Sequence, residues 1–228
     1  MDWDNTAIQM KEIGVRSLPV VTVVSVFIGL ILSFMAYAQF SMLGIESLIG
    51  PLVAYPMVAQ LGPVMAALMV AGRAGSAITA EISTMKVTEQ IDALTVIGAN
   101  PGEYLVKPRF VACILMLPML TVIADVIGIF GGYLLSVKVY QISEHYYWEH
   151  SKARVEAWDI TVGLIKAFVF GGLISIICCH RGFNSTGGAE GVGRSTTAAV
   201  VECFISIIVF NFFLSALCGL LYSGIMNG

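Results

Sequence analysis

The sequence predicts an all-α polytopic membrane protein of about five transmembrane helices, with a polar cytoplasmic helix between spans two and three. Composition gives the first ground: 57% of the 228 residues are hydrophobic, 12% are charged, and mean hydropathy is +0.87. A soluble domain carries about 25% charged residues, so this chain cannot cover a water-facing surface. The second ground is that the apolar residues fall into runs of the roughly 20 needed to cross a bilayer. The third is the segment Ala71 to Gly98, which carries Arg73, Glu81, Lys86, Glu89 and Asp92 between two such runs.

The N-terminal stretch holds Asp2, Asp4 and Glu12 and lacks a basic region leading into an apolar core with a small-residue cleavage site. No cleavable signal is expected, and the first run is retained. That run, Ser17 to Ile45, is free of charge and gives span one at 18–40. A short connection, Gly44-Ile-Glu-Ser47, leads to the second charge-free run and span two at 48–72. Pro51, Pro56 and Pro63 in it each remove a backbone donor. Such breaks survive at membrane depth only where protein or a wet cavity satisfies the backbone. An irregular arm is therefore expected, with room for a re-entrant element.

Span three, 110–137, is interrupted by Asp125 and offers Gly128, Gly131 and Gly132 for close helix packing. Lys138 to Asp159, with Tyr146, Tyr147, Trp148 and Trp158, reads as an exposed loop with rings at the interface. Span four, 160–180, holds Lys166. A polar Gly-rich loop, His180 to Ser195, leads to span five at 196–225, which holds Glu202 and Asn211. Residues 1–228 thus make one membrane domain.

Five spans put the termini on opposite sides. A cytoplasmic N-terminus leaves Lys11, Arg16, Arg73, Lys86, Lys107, Arg109, Arg181 and Arg194 inside and Lys138, Lys152 and Arg154 outside. That distribution follows the positive-inside rule. The basic residues are scattered and the formal charge is -3, which gives no footing for nucleic acid.

Asp125, Lys166 and Glu202 are expensive at membrane depth and should face the bundle interior or a cavity. Lys166, close to Trp158, can also snorkel to an interface, and a pathway role and a structural ion pair both stay open for it. Cys113, Cys178, Cys179, Cys203 and Cys218 lie in apolar runs without metal-ligand spacing, and read as small core residues. Gly188 to Ser195 has phosphate-loop spacing with Arg194 for Lys, but an apolar run stands where the motif needs a strand. It reads as a flexible turn, with Ser195-Thr-Thr capping span five. His145, His150 and His180 form no catalytic constellation with the Ser and Asp residues.

In the polar segment, Ile78, Ile82, Met85, Ile91 and Leu94 keep helical spacing, with Lys86, Glu89 and Asp92 on the remaining surface. Gly98 followed by Asn-Pro stops the helix, and Lys107-Pro-Arg109 turns back to the membrane. A helix lying on headgroups usually has a basic polar face. This face is mixed and partly acidic, which favours a protein partner.

Several blocks resemble the MlaE/YrbE permease family: Leu61-Gly-Pro63, Ala71-Gly-Arg-Ala-Gly-Ser-Ala-Ile-Thr-Ala-Glu81, Met85-Lys-Val-Thr-Glu-Gln-Ile-Asp-Ala-Leu94, Pro108-Arg-Phe110, Pro118-Met-Leu-Thr-Val122, Gly128-Ile-Phe-Gly-Gly132 and Gly191-Val-Gly-Arg-Ser-Thr-Thr197. The resemblance implies the transmembrane subunit of an MCE-type ABC transporter moving phospholipids or similar hydrophobic molecules between inner and outer membranes. It implies a homodimer in the bacterial inner membrane, under a hexameric periplasmic MCE-domain protein. A cytoplasmic ABC ATPase would hold ATP and Mg, and some systems add a STAS-domain protein. The chain itself would then carry no cofactor, no metal and no catalytic residue.

By the same resemblance a coupling helix falls at about 81–97, with Glu81, Met85, Lys86, Glu89, Gln90, Asp92 and Leu94 meeting the ATPase. Gln60, Leu61, Lys166 and Asn211 fall on the lipid pathway. The chain departs from the family where an Arg-Glu pair often precedes Leu-Gly-Pro: here stand Ala59 and Gln60. It departs again at Asn211, an acid in some members, and in having only about 16 residues before span one. Two other classes are weighed against the transporter. One is a non-transporting scaffold that anchors an MCE protein; the other is a secondary transporter, which usually carries internal repeats that this sequence lacks.

Overall fold

A computed structural model describes residues 3–45 and 48–226. Asp2, and Glu46 and Ser47 of the expected connection, lie outside the described residues. The helices are α1 Trp3–Ile13, α2 Leu18–Phe40, α3 Ile49–Pro56, α4 Gly62–Val70, α5 Ser76–Val87, α6 Gln90–Val96, α7 Lys107–Tyr133, α8 Glu144–Arg154, α9 Ala157–Phe183 and α10 Gly188–Met226. No strand occurs among the described residues. Five stretches are long and apolar enough to cross a membrane: Asp4–Phe40, Ile49–Val87, Gly102–Val139, Ala157–Phe183 and Gly188–Ser223. The protein is an all-α, multi-pass membrane protein.

The second arm is a continuous helical path rather than a re-entrant one. Pro51 sits in the first turn of α3, whose N–H groups have no helical acceptor to lose. Pro56 closes α3, and a π-helical turn, Met57–Leu61, bridges to α4. A second π turn, Ala71–Gly75, joins α4 to α5. Further π turns, Gly102–Val106 and Leu134–Val139, extend α7 at both ends, so Lys107-Pro-Arg109 lies within a helix and not in a turn.

Two expected loops are corrected. His180–Ser195 shrinks to residues 184–187, because Gly187 and Gly188 adopt φ of +93° and +67° and reverse the chain at once. The phosphate-loop-like stretch is the start of α10. Thr196 and Thr197 do not cap it; their hydroxyls donate back to the carbonyls of Val192 and Gly193. The loop 138–159 contains α8, and Tyr147 is buried instead of sitting at an interface.

The chain forms two compact units. The first comprises Met1–Ser17, Ala67–Leu117 and Ala167–Gly228. Here α5 packs on α10 and on the end of α9, where Thr79 Oγ1 donates to Gly75 O at 3.0 Å and Cys178 O at 3.3 Å. All five cysteines are free and buried, and Cys178 Sγ lies 3.7 Å from Cys203 Sγ. Arg73, in the π turn, donates to Glu12 O at 2.7 Å and Ser17 Oγ at 3.1 Å, which ties down the end of α1.

The second unit comprises Leu18–Ala66 and Pro118–Lys166. On α2 the buried stripe is Val21, Ser25, Gly29, Ser33 and Ala36, while Val20, Val23, Phe27, Ile31 and Phe34 are exposed. Small and polar side in, large apolar side out is the inverse of a soluble helix and the pattern of packing in lipid. At the crossing of α2 with α7 the backbones touch: a Cβ on Gly131 would stand 2.7 Å from Val26 O. Ser33 and Ser136 hydroxyls meet at 2.7 Å nearby. On the other face α8 packs on α3 through Tyr147, whose hydroxyl donates to Ile129 O at 3.0 Å. Burial pushes the Tyr147 phenol above its usual range, so it stays a neutral donor.

Candidate functional site

Two polar places stand out in an otherwise apolar chain, and one proline generates the first. In an α-helix the carbonyl of Ala59 would accept from the N–H of residue 63. Residue 63 is proline and has none. The π turn widens the helix here, with Gly62 N–H reaching Met57 O. Lys166 of α9 supplies the missing donor: its Nζ donates to Ala59 O at 2.8 Å and to Gln60 Oε1 at 2.8 Å. The lysine is fully buried, at 0% exposure, so it does not snorkel. One turn earlier on α9, Gly163 lets the two backbones approach, since a Cβ there would stand 2.6 Å from Val58 O.

The structure thus brings Gln60 and Lys166 together, with Leu61 half-buried beside them. Asp125 lies against Gly62, where a Cβ would collide with its carboxylate, and its Oδ1 is buried without a hydrogen-bond partner. Asn211 belongs to the first unit; its side-chain oxygen is likewise buried and unpartnered, while its carbonyl accepts from Ser215 Oγ at 2.6 Å. Glu202 is half exposed rather than inward-facing, and its Oε2 accepts from Arg181 Nε at 2.6 Å.

The second place is the polar corner after α5. The helix expected over 81–97 is broken: Thr88 leaves the helix and Glu89 takes φ +60°, a left-handed conformation that reverses the chain into α6. Lys86 Nζ spans the corner to Asp92 at 2.9 Å and 3.2 Å, and Ile91 is buried beneath it. Gln90 opens α6 on the exposed side, with Met85 and Leu94 half-buried. Glu81 points elsewhere, its carboxylate pairing at 2.8 Å with Arg109, which is only 4% exposed.

Three further residues are not singled out by the sequence. Val96 and Ile97 end the corner at 87% and 77% exposure. The signal was present in two β-branched apolar residues directly before the Gly98 stop, at a helix end with no apolar neighbour to cover them. Arg109 was counted only as a boundary charge. Nothing in a linear sequence pairs it with Glu81.

Among the described residues no three metal-ligating side chains converge. Both polar places consist of hydrogen-bond and ion-pair groups that hold backbone, in a chain built of membrane-length helices. That defines a polytopic α-helical membrane protein. The chain belongs to the MlaE permease family: the family profile described as Permease MlaE matches residues 6–217. It is 45% identical over 209 residues to a "Probable ABC transporter permease protein" of Rickettsia felis, covering 92% of this chain and 81% of that one. It is 41% identical over 214 residues to "Protein TRIGALACTOSYLDIACYLGLYCEROL 1, chloroplastic" of Arabidopsis thaliana, covering 94% and 61%. To the "Intermembrane phospholipid transport system permease protein MlaE" of Haemophilus influenzae it is 35% identical over 210 residues, covering 92% and 80%.

Proposed function

We propose that this chain is the transmembrane subunit of an ABC transporter that moves phospholipids between two membranes. The observation that carries this reading is the family match over residues 6–217, together with the likeness to a permease named for intermembrane phospholipid transport. In this reading two copies sit in a bacterial inner membrane with their N-termini in the cytoplasm. A cytoplasmic ABC ATPase binds ATP and Mg, a hexameric MCE-domain protein continues the path in the periplasm, and some assemblies add a STAS-domain subunit.

The corner of α5 and α6 is the coupling element. Its exposed Val96 and Ile97 beside Glu89, Gln90 and Asp92 have the make-up of a docking tip, an apolar anchor with a polar rim. Nucleotide-driven closure of the ATPase would push on this corner and thence along the unbroken helix Ile49–Val87. Such a push shifts the permease between states only if the two states differ in their contacts with the ATPase.

Gln60, Leu61, Lys166 and Asn211 belong to the lipid pathway in this proposal. With its ammonium turned onto Ala59 and Gln60, Lys166 acts on the path by fixing the π turn and the Gln60 amide. The test is ATP-dependent transfer of a labelled phospholipid from liposomes that hold the purified complex to acceptor liposomes. A scaffold that merely anchors an MCE protein would give no transfer above the ATP-free rate, and that result would end the transporter reading.

A further inference from the structure

Helix α5 touches much of the first unit, and most of its contacts are broad and uncharged. Thr79 reaches the Cys178 carbonyl of α9 at 3.3 Å, and a Cβ on Gly182 of α9 would stand 2.7 Å from Ile82 Cβ. Helix α10 packs along α5 as well. The tie to the start of span three is of another kind, because it is an ion pair. Glu81 Oε2 on α5 meets Arg109 Nη2 on α7 at 2.8 Å.

The pair is lopsided. The Glu81 side chain is 55% exposed and that of Arg109 only 5%. Arg109 Nη1 also donates to Leu105 O at 2.7 Å, which holds the guanidinium against the π turn Gly102–Val106. Its Nε is buried with no acceptor among the described residues. A guanidinium does not give up its proton in a protein, so burial cannot neutralise it, and a buried charge left unpaired is costly. Span three therefore begins on a cation that needs a carboxylate from α5. Any displacement of α5 either draws Arg109 along or strands it. The neighbouring pair of Lys107 and Glu103 has no such consequence, since both partners are exposed and it joins α7 only to its own π turn. Glu81 itself stands about 12 Å along the helix axis from Glu89, at about 1.5 Å per residue, with its carboxylate on span three.

We propose that Glu81 and Arg109 are positioning residues that make span three follow the corner of α5 and α6. A load on the corner shifts α5, and the buried cation carries the start of α7 with it. Motion then spreads sideways into a second span as well as along the helix Ile49–Val87. Glu81 in this role is no part of the surface that meets the ATPase. The inference rests on the transporter reading for the source of the load.

The test follows hydrogen–deuterium exchange by mass spectrometry on the purified complex in nanodiscs, with and without ATP and vanadate. In the wild-type complex, trapping should change exchange in residues 90–97 and again in residues 107–116. Glu81→Gln should keep the first change and lose the second, with the ATPase still copurifying. Lipid transferred per ATP hydrolysed should fall about tenfold, the size of one lost charge-assisted hydrogen bond. Glu81→Asp keeps the charge on a shorter side chain and should fall between the two, while Glu103→Gln should match the wild type. An undiminished response of 107–116 in Glu81→Gln overturns the proposal, and so does the lack of that response in the wild type. Loss of the ATPase from Glu81→Gln would make Glu81 a docking contact instead. A lower unfolding midpoint with the 107–116 response intact would make the pair a static brace, which also refutes it. If the wild type responds in 107–116 and transfers no lipid, the transporter reading fails and the link stands.

Discussion

Lys166 is the residue whose sequence context says least about what it does. A lone cation in an apolar run reads equally as a pathway charge, an ion-pair member or a snorkelling side chain. Its side chain instead meets the Gln60 amide and a backbone carbonyl that Pro63, in another span, deprived of its helical donor. Lys166→Met should therefore destabilise the protein by about 1–3 kcal/mol, the cost of leaving a buried acceptor unmet. The midpoint of thermal unfolding in detergent is the measurement, and an unshifted midpoint would remove the clamp. Gly163→Ala attacks the same place sterically, since its Cβ would stand 2.6 Å from Val58 O. A loss of about 1–3 kcal/mol is expected in the same assay, as for other overpacked cores.

The corner of α5 and α6 shows what helical periodicity reads well and where it stops. Ile78, Ile82 and Ile91 were legible as an inward stripe, and Gly98, at φ +80°, as the stop. The break at Glu89 was not legible, because glutamate is a good helix former and nothing local marks it for the left-handed φ that it takes between the Lys86 to Asp92 bridge and the buried Ile91. Glu89→Gly should relieve a backbone cost of about 1 kcal/mol and leave assembly intact. Glu89→Lys is expected to weaken ATPase capture or lipid-stimulated ATP hydrolysis while membrane insertion stays normal. Equal loss in both variants would mean that corner shape matters and the charge does not. Asp92→Lys should lower the same activities, and adding Lys86→Glu should restore the bridge. If the corner is held only by that exposed pair, worth about 1 kcal/mol or less, the rescue will show in stability before it shows in coupling.

For the molecule as a whole, the segregation of basic residues leads to a prediction about orientation. Lys86 and Lys152 belong to different units and, in the proposed topology, to opposite sides of the membrane. A membrane-impermeant maleimide should label Lys86→Cys only from the cytoplasmic side and Lys152→Cys only from the other. The five native cysteines are buried and should contribute little background. Labelling of both from one side would break the five-span topology, and labelling from the swapped sides would reverse it.

Composition and run length determined by themselves that the chain is an all-α membrane protein of five apolar helices, because a bilayer accepts little else at that length and hydropathy. The motif blocks determined the family, since they sit at fixed spacing over nearly the whole chain. Tertiary structure alone decided that Pro63 is answered by Lys166, that Glu81 is held by Arg109, and that Tyr147 is buried. It also decided that Gly188 to Ser195 begins a helix. Each of these is a contact between distant residues or a choice of backbone angle at glycine. Local sequence supplies the groups that need partners, and only the packed chain decides which group answers which.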